Sequence, residues 1–154
     1  MIKKILDQVA GAISTTQTRE DGESREEAIR MATAVLMIDV ARADHVFDET
    51  EFDSVLGLIE SHFNIGPEAA VEIFNDANEE AEDLTSLHDF TQLLHSNLDE
   101  AEKSRIVALL WRIAYADGRL DKYEDSLVLK ISDLLHVSRG RVMRLKHDAE
   151  LSAG

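Results

Sequence analysis

Apolar residues recur at intervals of three and four over most of the chain, a spacing that predicts helices and leaves no room for a strand pattern. Ile2, Ile5, Leu6, Val9 and Ile13 mark a short amphipathic N-terminal helix. The polar stretch 14–23 after it reads as a linker. Ser24 and Glu27 have the spacing of a capping box and predict a helix start, with Ala28, Met31, Ala32, Val35, Leu36 and Val40 on its buried face. A second helix is expected over 49–63, with Phe52, Val55, Leu56 and Ile59 inside. Gly66-Pro67 sets a boundary, and Pro67 suits a first helical position because its missing N–H costs nothing there. The helix that follows carries Ala70, Val71, Ile73, Phe74 and Ala77, and the run 78–83 reads as an acidic tail or loop.

Thr85 is expected to cap a helix bearing Leu87, Phe90, Leu93 and Leu94. Asp99 and Glu102 form a further capping box before a long helix with Ile106, Leu109, Leu110, Ile113 and Ala114 inside. Asp121 begins the next helix, with Leu127, Val128, Ile131 and Leu134 buried, and Ser138 begins the last, with Val142 and Leu145. The fold class is therefore all-α, a compact arrangement of seven to eight helices.

The halves of this pattern repeat. Ala43-Asp44-His45-Val46-Phe47-Asp48-Glu49-Thr50-Glu51 matches Ala116-Asp117-Gly118-Arg119-Leu120-Asp121-Lys122-Tyr123-Glu124, 73 positions later. Val35 to Ala43 aligns with Ala108 to Ala116 at the same offset. After one gap the offset is 72, pairing Ile59 with Ile131, Phe63 with Leu135, Ile65 with Val137 and Ala70 with Val142. An internal duplication related by a pseudo-twofold is expected, with halves at about 24–83 and 99–151 of a single domain 24–154, preceded by the N-terminal helix and linker 1–23.

The shared motif places three carboxylates in each copy: Asp44, Asp48 and Glu51, then Asp117, Asp121 and Glu124. Asp48 with Glu51 and Asp121 with Glu124 have capping-box spacing at a helix start, where carboxylates also suit the positive end of the helix dipole. Asp44 and Asp117 fall instead near the negative end of the preceding helix, where an anion is unfavourable. All six are candidate ligands of a hard divalent cation, Ca²⁺ or Mg²⁺, which takes several oxygen ligands. The spacing is not that of an EF-hand, which requires ligands at alternating positions, a central Gly and a Glu at the twelfth.

Charge narrows the partners. The formal net charge is -15, and between Asp44 and Glu102 stand 17 acidic residues and no Lys or Arg. From Lys103 onward there are 10 basic and 7 acidic residues. Such a field repels phosphate, so nucleic acid is not an expected partner, while cations and basic proteins are. The basic run Arg139, Arg141, Arg144 and Lys146 suits an acidic patch on a neighbouring subunit, so an oligomer is among the expectations. No stretch is long and apolar enough for a membrane span. The chain has no cysteine, which removes thiolate chemistry and fits a cytoplasmic protein.

Catalytic constellations are weak: no G-x-S-x-G, P-loop or H-E-x-x-H is present. Of the six histidines, His88 and His95 are spaced i, i+7 and read as surface residues, while His45 neighbours Asp44 and could join a metal site in the first copy. Trp111 and Tyr115 are expected in the core. Asp39 and Arg112 occupy equivalent repeat positions inside apolar stretches, and a pseudo-twofold could pair them.

The segment Ala114-Tyr115-Ala116-Asp117-Gly118-Arg119-Leu120-Asp121-Lys122-Tyr123-Glu124, following a long apolar helix, resembles the tellurite-resistance TerB family. The same turn occurs in TerB-like domains, including the N-terminal domain of a membrane-anchored DnaJ-type co-chaperone. The resemblance covers about residues 25–150. It implies a compact all-helical fold, an acidic cluster suspected of holding divalent metal, and a link to tellurite or general stress responses. Asp117, Gly118, Asp121 and Glu124 match the family's turn, whereas the first copy has His45 in place of the glycine. Direct tellurite chemistry is not expected, because tellurite is an anion and thiols, its natural reductants, are absent.

The expected function is that of a non-enzymatic TerB-like domain binding a divalent cation or a protein partner through its acidic turns. A metal-dependent hydrolase and a purely structural interaction module are the alternatives.

Overall fold

The computed structural model describes residues 19–43, 49–82, 87–116 and 120–153. Within them lie seven helices and no strand: α1 (Arg19–Ala41), α2 (Glu49–Phe63), α3 (Pro67–Glu82), α4 (Leu87–Asn97), α5 (Glu100–Ala114), α6 (Lys122–Leu134) and α7 (Arg139–Ala153). The N-terminal helix expected over 2–13 and the Thr85 cap lie outside the described residues.

Two boundaries differ from the sequence reading. α1 begins at Arg19, five residues before Ser24, so part of the expected linker is helical. Glu and Arg are good helix formers, and the Glu- and Arg-rich composition of 19–27 outweighs the capping preference of Ser24. α3 likewise continues through the acidic run to Glu82. Glu and Ala are good helix formers, and the run follows a helix that is already nucleated.

α1 and α5 form the centre. Every residue from Ala32 to Ile38 is buried, as are Val40 and Ala41. A helix buried all round must be covered on several sides, and α1 packs against α2, α3, α5 and α6. In α5, Ile106, Val107, Leu109, Leu110, Trp111, Ile113 and Ala114 are buried. Trp111 is fully enclosed, and Tyr115 lies in the core beside it, as the sequence reading expects. Buried hydroxyls are satisfied inside their own helices: Thr33 donates to the Ile29 carbonyl (2.7 Å) and Ser132 to that of Val128 (2.7 Å).

Contacts between helices come in matched pairs. α1 with α3 and α5 with α7 are the two most extensive; α1–α2 matches α5–α6, α2–α3 matches α6–α7, and α1–α6 matches α5–α2. Hydrogen bonds at the helix ends match residue by residue. The Ala43 N–H donates to the Val40 carbonyl and the Ala116 N–H to that of Ile113, both at 3.1 Å. The Ile65 N–H reaches the Glu60 carbonyl and the Val137 N–H reaches that of Ser132, again both at 3.1 Å. These last bonds close Schellman turns whose left-handed residues are Asn64 (φ 53°) and His136 (φ 61°), 72 positions apart. Such matched contacts are what two three-helix units exchanged by a pseudo-twofold would make. α4 is the addition, packed chiefly on α6.

Candidate functional site

The acidic motifs follow the C-termini of the two central helices. α1 and α5 stop in the same register, with the matched bonds at Ala43 and Ala116 closing the last turn of each. Carbonyl oxygens crowd at such an end, giving it partial negative charge. Of the six candidate ligands, Asp44, Asp48 and Asp117 lie outside the described residues, and so does the side chain of Glu51. His45 lies outside them as well.

Asp121 and Glu124 are described. Asp121 is the N-cap of α6, with extended backbone (φ -79°, ψ 142°). Its Oδ2 accepts the backbone N–H groups of Tyr123 (2.9 Å) and Glu124 (3.3 Å). These bonds satisfy two of the four donors a helix start leaves open. Oδ1 of Asp121 faces no hydrogen-bond partner among the described residues. Glu124 is buried in the first turn, 6% exposed. The complete reciprocal box forms instead at α5: Glu102 N–H donates to Asp99 Oδ1 (2.8 Å) and Asp99 N–H to Glu102 Oε1 (3.1 Å).

A groove of about 380 Å³ opens next to the second motif. Asp53, Ser54, Gly57 and Leu58 of α2 form one wall; Arg112, Tyr115 and Ala116 at the end of α5 and Ala149 and Ser152 of α7 form the rest. Sequence reasoning did not find it, because its walls come from three helices and its charged members, Asp53 and Arg112, belong to no motif. Burial raises the Tyr115 hydroxyl above its ordinary value, and the nearby Glu150 carboxylate adds to this. Further along the same helices, His62 is held below its ordinary value by burial and then by Arg105 and Arg112.

Asp39 and Arg112 do not pair. The cations that act on Asp39 are Arg42 and Lys130, and burial outweighs both, raising its carboxyl above the usual range. Arg112 faces α2 across the groove. Asp39 is thus acted on by a cation of α6, and Arg112 lies by α2.

His95 is not a free surface residue. Its ring stacks on His136 (centroids 4.0 Å apart, planes at 22°). Its Nδ1 lies 2.6 Å from Nζ of the buried Lys103 and 3.2 Å from the Leu135 carbonyl. Burial, then Lys103 and His136, lower its readiness to take a proton. α4, α5 and the turn after α6 bring these groups together, so spacing within α4 could not reveal them. The side chain of His88 lies outside the described residues. Among the described residues no three His, Asp or Glu side chains gather at metal-ligand distance.

A family model described as tellurite resistance protein TerB matches residues 30–147. The chain belongs to the TerB family. The TerB match begins in α1 and ends in α7, so it includes both acidic motifs and the groove residues of α2 and α5, and stops short of Ala149 and Ser152. No curated protein and no solved structure gives a significant match. No helix of the described TerB domain is long and apolar enough to cross a membrane.

Proposed function

We propose that this TerB domain is a non-enzymatic, cytoplasmic module that takes up a divalent cation, Ca²⁺ or Mg²⁺, at its acidic turns. The observation that carries the reading is the matched ending of α1 and α5. Each closes with the same hydrogen bond, and an Asp follows at once in the sequence, Asp44 after Ala43 and Asp117 after Ala116. A carboxylate next to outward carbonyls is repelled by them, and a hard cation turns that repulsion into shared coordination. The donor chemistry supports it: each copy of the motif offers three carboxylates, with His45 as a nitrogen donor in the first copy, and Asp121 caps α6 through Oδ2. When bound, ions would offset the charge of the two turns, with Asp44, Asp48 and Glu51 as the oxygen donors of the first and Asp117, Asp121 and Glu124 as those of the second. The absence of cysteine agrees with a reducing compartment.

Melting the protein at increasing Ca²⁺, Mg²⁺, Mn²⁺ and Zn²⁺ tests the reading. A native-state ligand raises the midpoint with concentration, by about 2.7 kcal/mol of stability at a hundredfold excess over Kd. Asp44→Asn with Asp117→Asn should abolish the shift. A midpoint indifferent to every ion at millimolar concentration would remove the cation, and a shift that survives the double substitution would move it elsewhere.

A basic protein partner is the second reading. It is favoured by the exposed acidic face of α3, where Glu68, Glu72, Asp76 and Glu79 stand in solvent.

A further inference from the structure

α3 and α7 occupy matched places, α3 against α1 and α7 against α5, and their burial patterns coincide at an offset of 72. Ala70 and Val142 are buried, as are Ala77 and Ala149, about two turns further on. The outer faces match as well. Each carries a large apolar side chain in solvent at one equivalent position, Val71 (40% exposed) on α3 and Met143 (37%) on α7, and α7 exposes a second, Leu151, two turns further on. Around this shared point the charges are opposite. On α3 stand Glu68, Glu72, Asp76 and Glu79, all exposed. On the first two turns of α7 stand Arg139, Arg141 and Arg144, also exposed.

Charges on these faces are largely unspent within the molecule. Glu68, Glu72, Asp76, Glu79 and Arg144 have no ion-pair or hydrogen-bond partner among the described residues. Arg141 makes one long bond, 3.4 Å, to Ser104 Oγ. Arg139 forms an ion pair with Asp133 at 3.1 Å. Lys146, on the inner side of α7, is held by Asp125 at 2.9 Å and lies over the Trp111 ring. The outer face of α3 is thus acidic and the first two turns of α7 are basic, each with an apolar residue set among its charges, while the later turns of α7 expose Asp148 and Glu150.

We infer that the occupant of each face is a second copy of this chain, α3 of one molecule laid against α7 of another, with Val71 on Met143 and Glu68 and Glu72 facing Arg141 and Arg144. Because the two surfaces differ, the contact is heterologous; it closes on itself when two copies exchange both contacts and extends into a chain when they do not. A single helix-to-helix contact is small, below the roughly 1,200 Å² of a standard interface, so the association is weak and concentration-dependent. Its charged contacts are exposed at the rim, so salt loosens it.

Sedimentation velocity from about 10 µM to about 1 mM, a range suited to weak interfaces, at roughly 0.05 M and roughly 0.5 M salt, tests the inference. The native chain should associate as its concentration rises, and less so at high salt. Glu68→Lys with Glu72→Lys, and separately Arg141→Glu with Arg144→Glu, should each weaken self-association by about tenfold or more through like-charge contact. An equimolar mixture of the two variants restores opposite charges at both contacts and should associate nearly as the native chain does. All four positions are exposed, and melting curves of each variant establish that it is folded. A native chain that is monomeric throughout, association insensitive to salt, or a mixture that stays monomeric overturns the inference; the first outcome gives the faces to other partners or to solvent.

Discussion

Removing the cap at Asp121 separates the structural part of the acidic motif from any other role. Asp121→Ala deletes an oxygen that accepts two backbone donors, one at 2.9 Å and one at a weaker 3.3 Å. An N-cap of this kind contributes about 1 kcal/mol, and its negative charge at the positive end of α6 about 0.5 kcal/mol more. The Ala variant should therefore lose about 1.5 kcal/mol. In a domain of this size that is a fall of about 3–6 °C in melting temperature. Asp121→Asn keeps the acceptor and loses only the charge, so it should lose about 0.5 kcal/mol and about 1–2 °C. The assay is thermal unfolding by circular dichroism in chelator, where no divalent ion can contribute. An Asn variant as damaged as the Ala variant would refute the capping argument, since acceptor geometry would then count for nothing. The same comparison repeated with added cation reports whether Oδ1 has a second use.

Asp39→Asn should raise the melting temperature at neutral pH. Burial lifts the folded carboxyl above 3.8, so stability falls as pH rises from 3.8 through the raised value, and the deficit persists at neutrality. A neutral amide has no such deficit, whereas a lower melting temperature would show that attraction to Arg42 and Lys130 outweighs burial. His95 works in the opposite sense: its folded value lies below 6.5, so stability is complete above 6.5 and is lost as pH falls from there through the folded value. His95→Gln should flatten that part of the melting profile, and an unchanged slope would assign it to His62, which is lowered too. Ile59→Ala and Ile131→Ala, at matched and fully buried positions, should each cost about 2–5 kcal/mol. A loss under about 1 kcal/mol at either one would show that the core there collapses freely.

Helix positions were legible in the sequence wherever an amphipathic stripe met a good cap. Glu49–Phe63 and the Asp99–Glu102 box stand as the pattern predicts. Boundaries went astray at α1 and α3, where runs of acidic residues look like linker and yet extend a helix already formed. Complete burial of 32–38 was invisible too, because a stripe marks only one face, and Thr33, Ala34, Met37 and Ile38 are covered by helices distant in sequence. Within the motif, the capping role of Asp121 was legible from spacing. The groove and the His95–Lys103–His136 cluster were not, since each is assembled by three separate segments. Arg112 was misread for a related reason: equivalence in the repeat says which positions correspond, and symmetry can send corresponding side chains apart.

The turns at Asn64 and His136 have a consequence for the acidic motifs upstream of them. Fifteen positions separate Glu49, the first residue of α2, from Asn64, but only fourteen separate Lys122 from His136. One additional helical residue turns everything before it by about 100° and displaces it by about 1.5 Å. If both Schellman turns anchor their helices alike, the first residue of α2 points about 100° away, around the helix axis, from the first residue of α6. Whatever these motifs hold, they are then two different receptors cut from one pattern, and titration should find one site of higher affinity and one of lower rather than an equal pair.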